Sequence, residues 1–522
     1  MVFEATNCET VILISSASRR LTGIIITYGY ILAQALVGFV YVPMLLQNIG
    51  QDEYGLYQLI GSIMSYIVSI NGILSAGVGR FYCKYMAEGK NDLMENTLAI
   101  ARRLYWVLSV FVMLISCVLA VVVRFVYSAS FTNSQLDECS AMLVVLGINT
   151  IVIMNNTISV AAITANERFV FLKGSQLAAL IAQPFIVYGL TTIFKNALAV
   201  CLVVLVTNVL CAVSQRLFAK YNLHISFRYH GWDMKLAKGL LFFSGAIVLV
   251  TIADQIFWKT DQLIVGYYFG AAAVAVYSVG SQIYTIYMTI GTAASSVFLP
   301  RVSELYCQNK DMSEISDLFI KVGRISFIVC GFVLSLFIVL GKDFIIIWAG
   351  KDYIDAFYIA LIVMVPFTID LIQNLGLTIM QVANVYLYRG YMYLAIALVN
   401  VVVTIILLKL MGIVGAAVST AIAMVIGNGF CMNWYYSEKL GLNIKKFWLE
   451  IAKLSVLVIV GTGALLLLYN LIKNLLSGLV VVLVSAIIYF FIYFFLVLMF
   501  GLNESEKTSI SAFIKRLSNR PL

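Results

Sequence analysis

The stretch Thr251–Gln262, TIADQIFWKTDQ, sets Asp254, Lys259 and Asp261 inside a run from Gly239 to Phe269 that is otherwise nearly all apolar. A run of this length crosses a bilayer, which takes about 20 residues. Each charge in the hydrocarbon costs on the order of 2.5–3.5 kcal/mol even on lenient insertion scales. At about 100° per residue, Thr251, Asp254, Gln255, Trp258, Lys259, Asp261 and Gln262 fall within an arc of roughly 160°. Ile252, Ala253, Ile256, Phe257, Leu263 and Ile264 occupy the other side. One face therefore meets lipid or packed helices and the other a polar interior. Two kinds of chemistry suit that interior. An ammonium group is a point charge for a phosphate. A carboxylate held in low dielectric can bind and release a proton or cation in step with movement. The opposing reading is an internal salt-bridge network that only fixes packing, in which Lys259, flanked by two carboxylates, is already neutralised.

Further candidates lie on other apolar runs. Arg80 ends the second run, where it suits bidentate contact with phosphate or plain positive-inside anchoring. The first run carries Tyr30, Gln34 and Tyr41; the second Gln58, Ser62, Ser65 and Ser69; the eighth Gln282, Thr285 and Thr289. The tenth carries Asp370, Asn374 and Gln381 near one face, with Pro366 four residues before Asp370. A proline there frees a carbonyl and predicts a kink, as a gate or as packing. Asp370 joins Asp254 and Asp261 as a candidate for ion coupling. Each uncharged position equally suits a hydrogen bond between helices.

The elements that must position these residues are membrane spans. The chain has 522 residues, 62% hydrophobic and 11% charged, with a mean hydropathy of +0.98. A soluble domain of this size carries about 25% charge. The expectation is an all-α, polytopic membrane protein with about fourteen spans between residues 21 and 501. Of the 34 Lys and Arg, only Arg124, Lys195, Lys342, Lys351, Lys409 and Lys473 fall outside when the N-terminus is inside, and Lys259 lies within a span. This bias places both termini in the cytoplasm. The net charge of +9 then belongs to loops near anionic lipid rather than to a nucleic-acid surface.

His224 and His230 share one loop without a Cys or carboxylate at ligand spacing, and the nine Cys contain no CxxC pair. No metal site, cofactor or disulfide framework is expected. With no His in a span and short external loops, there is no catalytic constellation, and the chain does not read as an enzyme. Residues 1–20 read as a cytoplasmic tail. The run after Arg19-Arg20 is too long for a signal h-region, so it reads as a retained span. Segment 301–324, with Val302, Leu305, Ile315, Leu318, Phe319 and Val322 among charges, is expected to lie along the membrane surface. The tail, 502–522, reads equally as a short amphipathic helix or as solvated chain.

Two internal echoes organise the spans. Ile49-Gly50-Gln51-Asp52-Glu53-Tyr54-Gly55-Leu56-Tyr57 matches Phe269-Gly270-Ala271-Ala272-Ala273-Val274-Ala275-Val276-Tyr277 at the glycine, at the small residue five later and at the tyrosine seven later. Glu167–Lys173 parallels Asn384–Arg389. Both recur at an offset of six spans, which predicts two lobes in parallel orientation with a cavity between them. The lobes are placed at 21–219 and 239–437, joined by a linker at 220–238, with two added helices over 449–501.

At these residues the chain resembles a family. The external IGxxxYGLY turn, AGVGRF (Ala76 to Phe81), the NERFVF loop, DQLIVGYYFGxxxVxVYS and GIVGAAVSTAIA (Gly412 to Ala423) are similar to the O-antigen and teichoic-acid type polysaccharide flippases. Those belong to the multidrug/oligosaccharidyl-lipid/polysaccharide exporter superfamily, which is MATE-like. The resemblance covers about residues 20–500, and its motifs identify fold better than cargo. It implies a multi-pass protein of the bacterial cytoplasmic membrane. Its cargo would be an oligosaccharide linked to undecaprenyl diphosphate, carried to the outer leaflet by alternating access for cell-surface polysaccharide biosynthesis. The implied partners are that lipid-linked oligosaccharide, membrane lipid, and a polysaccharide polymerase or glycosyltransferases. The alternative on the same fold is a cation-coupled multidrug exporter, which needs a smaller acidic or aromatic cavity. For the flippase, Arg80 and Lys259 are the expected diphosphate contacts and Gln34, Gln282 and Asn374 the cavity contacts.

Overall fold

The computed structural model describes residues 2–242, 245–296, 298–308, 312–383, 385–476, 478–503 and 507. Among them every regular element is helical. Among the described residues thirteen helices are long and apolar enough to cross a membrane. One of these, Val250–Ala293, has 44 residues. At 1.5 Å per residue it would be about 66 Å long, twice the hydrocarbon thickness. It is not straight. Gly270 takes φ 79° and ψ −173°, and the chain folds back on itself there. Tyr277 Oη donates to Asp261 Oδ2 at 2.7 Å, and Gln262 Nε2 donates to Ser278 Oγ at 3.2 Å. Residues this far apart would sit about 24 Å from one another along a straight helix. Only a hairpin centred on Gly270 brings them together, so this stretch supplies two of the expected runs.

The same backbone conformation recurs at Gly50 (φ 86°, ψ 177°), Gly350, Gly412 and Gly478, each directly before a new helical segment. This region of φ/ψ is close to glycine-only, because a Cβ there meets the adjoining peptide. All five turns fall at helix ends where Lys and Arg are scarce. Gly50 and Gly270 are the glycines aligned in the internal repeat.

The chain divides into two compact units. The first comprises residues 1–278 and 393–401. It contains α1 (Val2–Ile49), α2 (Gln51–Ser69), α3 (Asn71–Ala87), α4 (Asn91–Val126), α5 (Asn133–Ala165), α6 (Phe169–Thr191), α7 (Ala197–Tyr221), α8 (Met234–Phe242) and the first half of α9 (Gly245–Ser296). Helix α1 takes in the segment expected as a tail. Within the unit α4 packs on α5, α5 on α7 and α1 on α6. The first amides of α7 are received by three side chains: Glu53 from α2 takes Ala197 N at 2.8 Å, Glu138 from α5 takes Leu198 N at 2.9 Å, and Asn196 takes Ala199 N at 3.1 Å. Carboxylates at a helix N-terminus satisfy orphan donors and oppose the helix dipole. Gly55 lies against the 270 turn so closely that a Cβ would fall on the Ala271 carbonyl.

The second unit comprises residues 279–392 and 402–522. Here α10 (Leu299–Cys307) and the start of α11 (Met312–Trp348) correct the expectation for segment 301–324. Val302, Leu305, Ile315, Phe319 and Val322 are buried with Ile372, Leu375 and Phe447, so their apolar face is covered by protein instead of lying on the membrane surface. The tenth span carries Pro366 inside its first helix. Helix α12 (Asp355–Ile372) runs through the proline, and the break falls at Gln373, before α13 (Asn374–Val382). Gln373 Nε2 donates to Asn433 Oδ1 at 2.7 Å, beside a π-helical turn over Val425–Met432. Helix α17 (Ile444–Lys473) and the π-helical turn Val497–Gly501 that follows α18 (Leu479–Leu496) are tied to α11 by buried Arg324, which donates to Glu450 Oε2 at 2.5 Å and to Gly501 O at 2.7 Å. The expected helix or solvated tail at 502–522 lies outside the described residues apart from 502, 503 and 507.

Replacing Gly270 with alanine should destabilise the protein by about 1–3 kcal/mol. Gly463→Ala, in open space at a helical position, should be neutral or slightly stabilising. Thermal unfolding of the two purified variants in detergent checks both, and equal melting temperatures would contradict the turn analysis.

Candidate functional site

Helix α2 and the first half of α9 run antiparallel. Ser62 Oγ donates to Gln262 Oε1, Tyr66 Oη and Thr260 Oγ1 pair at 2.6 Å, and Gly266 sits against Leu59. Tyr127 Oη also donates to Leu263 O at 3.1 Å. These bonds seal the helix pair on the side of Gly55 and Gly270. From Lys259 back toward Thr251, α9 borders a cavity of about 470 Å³ that also runs along α2 from Tyr57 to Ser69.

Three segments line that cavity. Helix α9 presents Thr251, Gln255 and Lys259, spaced i, i+4, i+8 on one face. Helix α2 presents Gln58, Ser62, Ser65 and Ser69. Helix α5 adds Asn149 and Thr150. Asn208 Nδ2 holds Asn149 by donating to its Oδ1 at 2.9 Å. Ser65 and Ser69 donate to the carbonyls of Ser62 and Tyr66 at 2.7 and 2.6 Å, which leaves their oxygen lone pairs as acceptors. The lining thus offers hydroxyls and amides, and its one charged side chain is Lys259.

The polar arc on the seventh span splits into two groups. Asp261 is 2% exposed and accepts the Tyr277 hydroxyl, and Gln262 bridges Ser62 and Ser278. Both serve the hairpin. Phe257 stacks edge-on to Trp258 and tilts onto Tyr393. Asp254 is half-buried on the same helix and does not line the cavity. Among the described residues Lys259 forms no ion pair, so there the opposing reading, in which the flanking carboxylates neutralise it, has no bridge to rest on. The reason is angular: Asp261 lies about 200° around the helix from Lys259, on the side of the returning arm of the hairpin.

The remaining candidates are placed elsewhere. Gln34 on α1 and Arg80 on α3 are exposed and do not line this cavity. Gln282, Asp370 and Asn374 belong to the second unit, each half-buried, with Asn374 opening α13 just after the break at Gln373. Thr285 and Thr289 donate to the backbone of their own helix, at Ser281 O and Thr285 O. The sequence reading missed Asn149 and Thr150. Their adjacent side chains interrupt an apolar run, which was the available signal, but a single polar pair does not show which way it faces.

Comparison with known proteins decides the family. A sequence profile described as "Polysaccharide biosynthesis protein" matches residues 45–358, more than half of the chain. The chain belongs to this polysaccharide biosynthesis family. No curated protein sequence matches it. Among solved structures, a lipid II flippase MurJ in an inward closed conformation aligns with a TM-score of 0.74 at 15% identity, over 92% of this chain and 98% of that one. An inward-facing multidrug resistance MATE transporter of the MOP superfamily aligns at 0.62 and 12% identity, over 77% and 93%. The MATE multidrug transporter DinF-BH aligns at 0.57 and 14% identity, over 81% and 95%. At these identities the likeness is one of fold. It places this member of the polysaccharide biosynthesis family in the polytopic, all-helical transporter architecture.

Lys259→Gln should change stability by less than about 1 kcal/mol, because no carboxylate loses its partner. Breaking a buried ion pair would instead cost about 3–5 kcal/mol. Chemical or thermal unfolding of the variant separates the two cases.

Proposed function

We propose that this protein moves an oligosaccharide linked to undecaprenyl diphosphate across the bacterial cytoplasmic membrane, from inner to outer leaflet, by alternating access. The observation that carries the reading is the Lys259 ammonium, without an ion pair among the described residues, in a cavity whose other polar lining groups are hydroxyls and amides, set among Met64, Val68 and Leu146. A diphosphate needs a cation, and a sugar needs neutral donors and acceptors. Membership of the polysaccharide biosynthesis family and a fold shared with a protein named as a lipid II flippase support the same cargo class. A multidrug exporter also fits the fold, but the cavity's one charge is positive and would repel a cationic drug.

In this reading Lys259 contacts the diphosphate inside the membrane and Arg80, exposed on α3, meets it first at the cytoplasmic end. Gln34, Gln282 and Asn374 contact the glycan at other stages of the cycle. Asp254 and Asp370 couple the cycle to a proton or cation. A polymerase or glycosyltransferase supplies and consumes the lipid-linked sugar. Both termini lie in the cytoplasm.

In proteoliposomes, a fluorescent polyprenyl-diphosphate oligosaccharide should change leaflets only when the protein is present. Lys259→Ala should slow this by about 10–100-fold, the worth of one charge-assisted hydrogen bond, and Lys259→Arg should restore most of it. Proton-linked efflux of a cationic dye without movement of the glycan lipid would favour the drug exporter instead. Asp254→Asn and Asp370→Asn should slow transport at unchanged membrane abundance; full-rate transport in both would remove the coupling role.

A further inference from the structure

A second recess lies in the first unit, away from the Lys259 cavity. It has a volume of about 320 Å³ and is formed by α4, α5 and α7 at their lysine- and arginine-rich ends. Arg102 of α4 and Arg216 of α7 both line it. Among the described residues neither guanidinium has an ion pair or a side-chain hydrogen bond. The neighbouring groups are already engaged. Arg103 stacks on Tyr229 with its guanidinium carbon 3.3 Å from the ring centroid, and Glu95 pairs with His230 at 3.1 Å. The loop after α7 is pinned to α4, since Asn96 Nδ2 donates to Gly231 O and His230 N donates to Asn96 Oδ1, both at 3.1 Å. That pinning brings Phe227 into the wall of the recess. The outer wall is Trp106 and Val213, 62% and 48% exposed. Trp106 begins the outward apolar stripe of α4 that continues through Val110, Phe111 and Leu114.

Arg102 and Arg216 are exposed, and two guanidiniums on one small recess give it a positive field that favours an anion. An arginine presents a planar fork that matches phosphate oxygens. The apolar wall faces the hydrocarbon, and tryptophan favours the headgroup level. We propose that this recess is a binding site for an anionic phospholipid, with Arg102 and Arg216 on its phosphate and its acyl chains along Trp106 and Val213. Basic pockets between membrane helices hold acidic headgroups by this chemistry. A free phosphate would use the arginines but make no use of the apolar wall beside them. The bound lipid bridges α4 and α7 and so stabilises the first unit.

The test counts bound phospholipid on the full-length protein by native mass spectrometry, with phosphatidylglycerol and phosphatidylcholine supplied in equal amounts. The expected result is a preference for phosphatidylglycerol that falls at least about tenfold in Arg102→Gln/Arg216→Gln. The same preference should persist in Lys439→Gln/Lys445→Gln, which removes equal charge from exposed positions in the second unit. An equal fall in both double variants would mean general charge attraction and would overturn the site. So would an absence of preference in the unmodified protein. Displacement of the lipid by millimolar inorganic phosphate alone would assign the arginines to a free anion and remove the lipid.

Discussion

An unpaired charge inside a helix bundle is tolerated only where water or a ligand reaches it, and that constraint organises the first unit. Lys259 has its cost offset by a cavity built from α2, α5 and α9. Toward the Gly270 end of α9 three successive polar residues are instead paired with neighbouring side chains. Asp261 has Tyr277, Gln262 has Ser62 and Ser278, and Thr260 has Tyr66. The sealed half and the open half are successive turns of one helix. The hairpin at Gly270 is what makes the seal possible, because it returns Tyr277 and Ser278 alongside the residues they satisfy.

Glycine supplies the turns on which this depends. Five glycines in a near glycine-only conformation reverse the chain at helix ends poor in Lys and Arg, and at two of them the repeat motif identifies the same turn twice. Gly55 then lets α2 approach the Ala271 backbone, which the bonds from Ser62 and Tyr66 require. Covalent geometry, close packing and polar satisfaction thus act on the same few residues.

Much of this was legible in the chain because membrane spans are long, apolar and bounded by charge. The aligned glycines, the helix 2 serines and Lys259 could all be read from spacing. What could not be read was direction around a helix. A polar arc of roughly 160° looked like one face, yet it serves two neighbours: Lys259 turns to the cavity and Asp261 to the hairpin. Segment 301–324 shows the converse. Its amphipathic pattern was real, but an apolar face does not declare whether lipid or protein covers it, and here α13 and α17 do. At the tenth span the proline was visible in the sequence, while the helix boundary at Gln373, where a side-chain amide meets buried Asn433, was not.

Whether Lys259 faces a wet cavity that receives a diphosphate is tested most directly with a single cysteine at position 259 in an otherwise cysteine-free chain. Its modification by a membrane-impermeant thiol reagent is followed over time. The predicted result is modification from the lysine- and arginine-rich side, slowed by polyprenyl-diphosphate oligosaccharide and not by the polyprenol alone. A thiol that stays unreactive, or one whose reactivity the diphosphate lipid leaves unchanged, would contradict it.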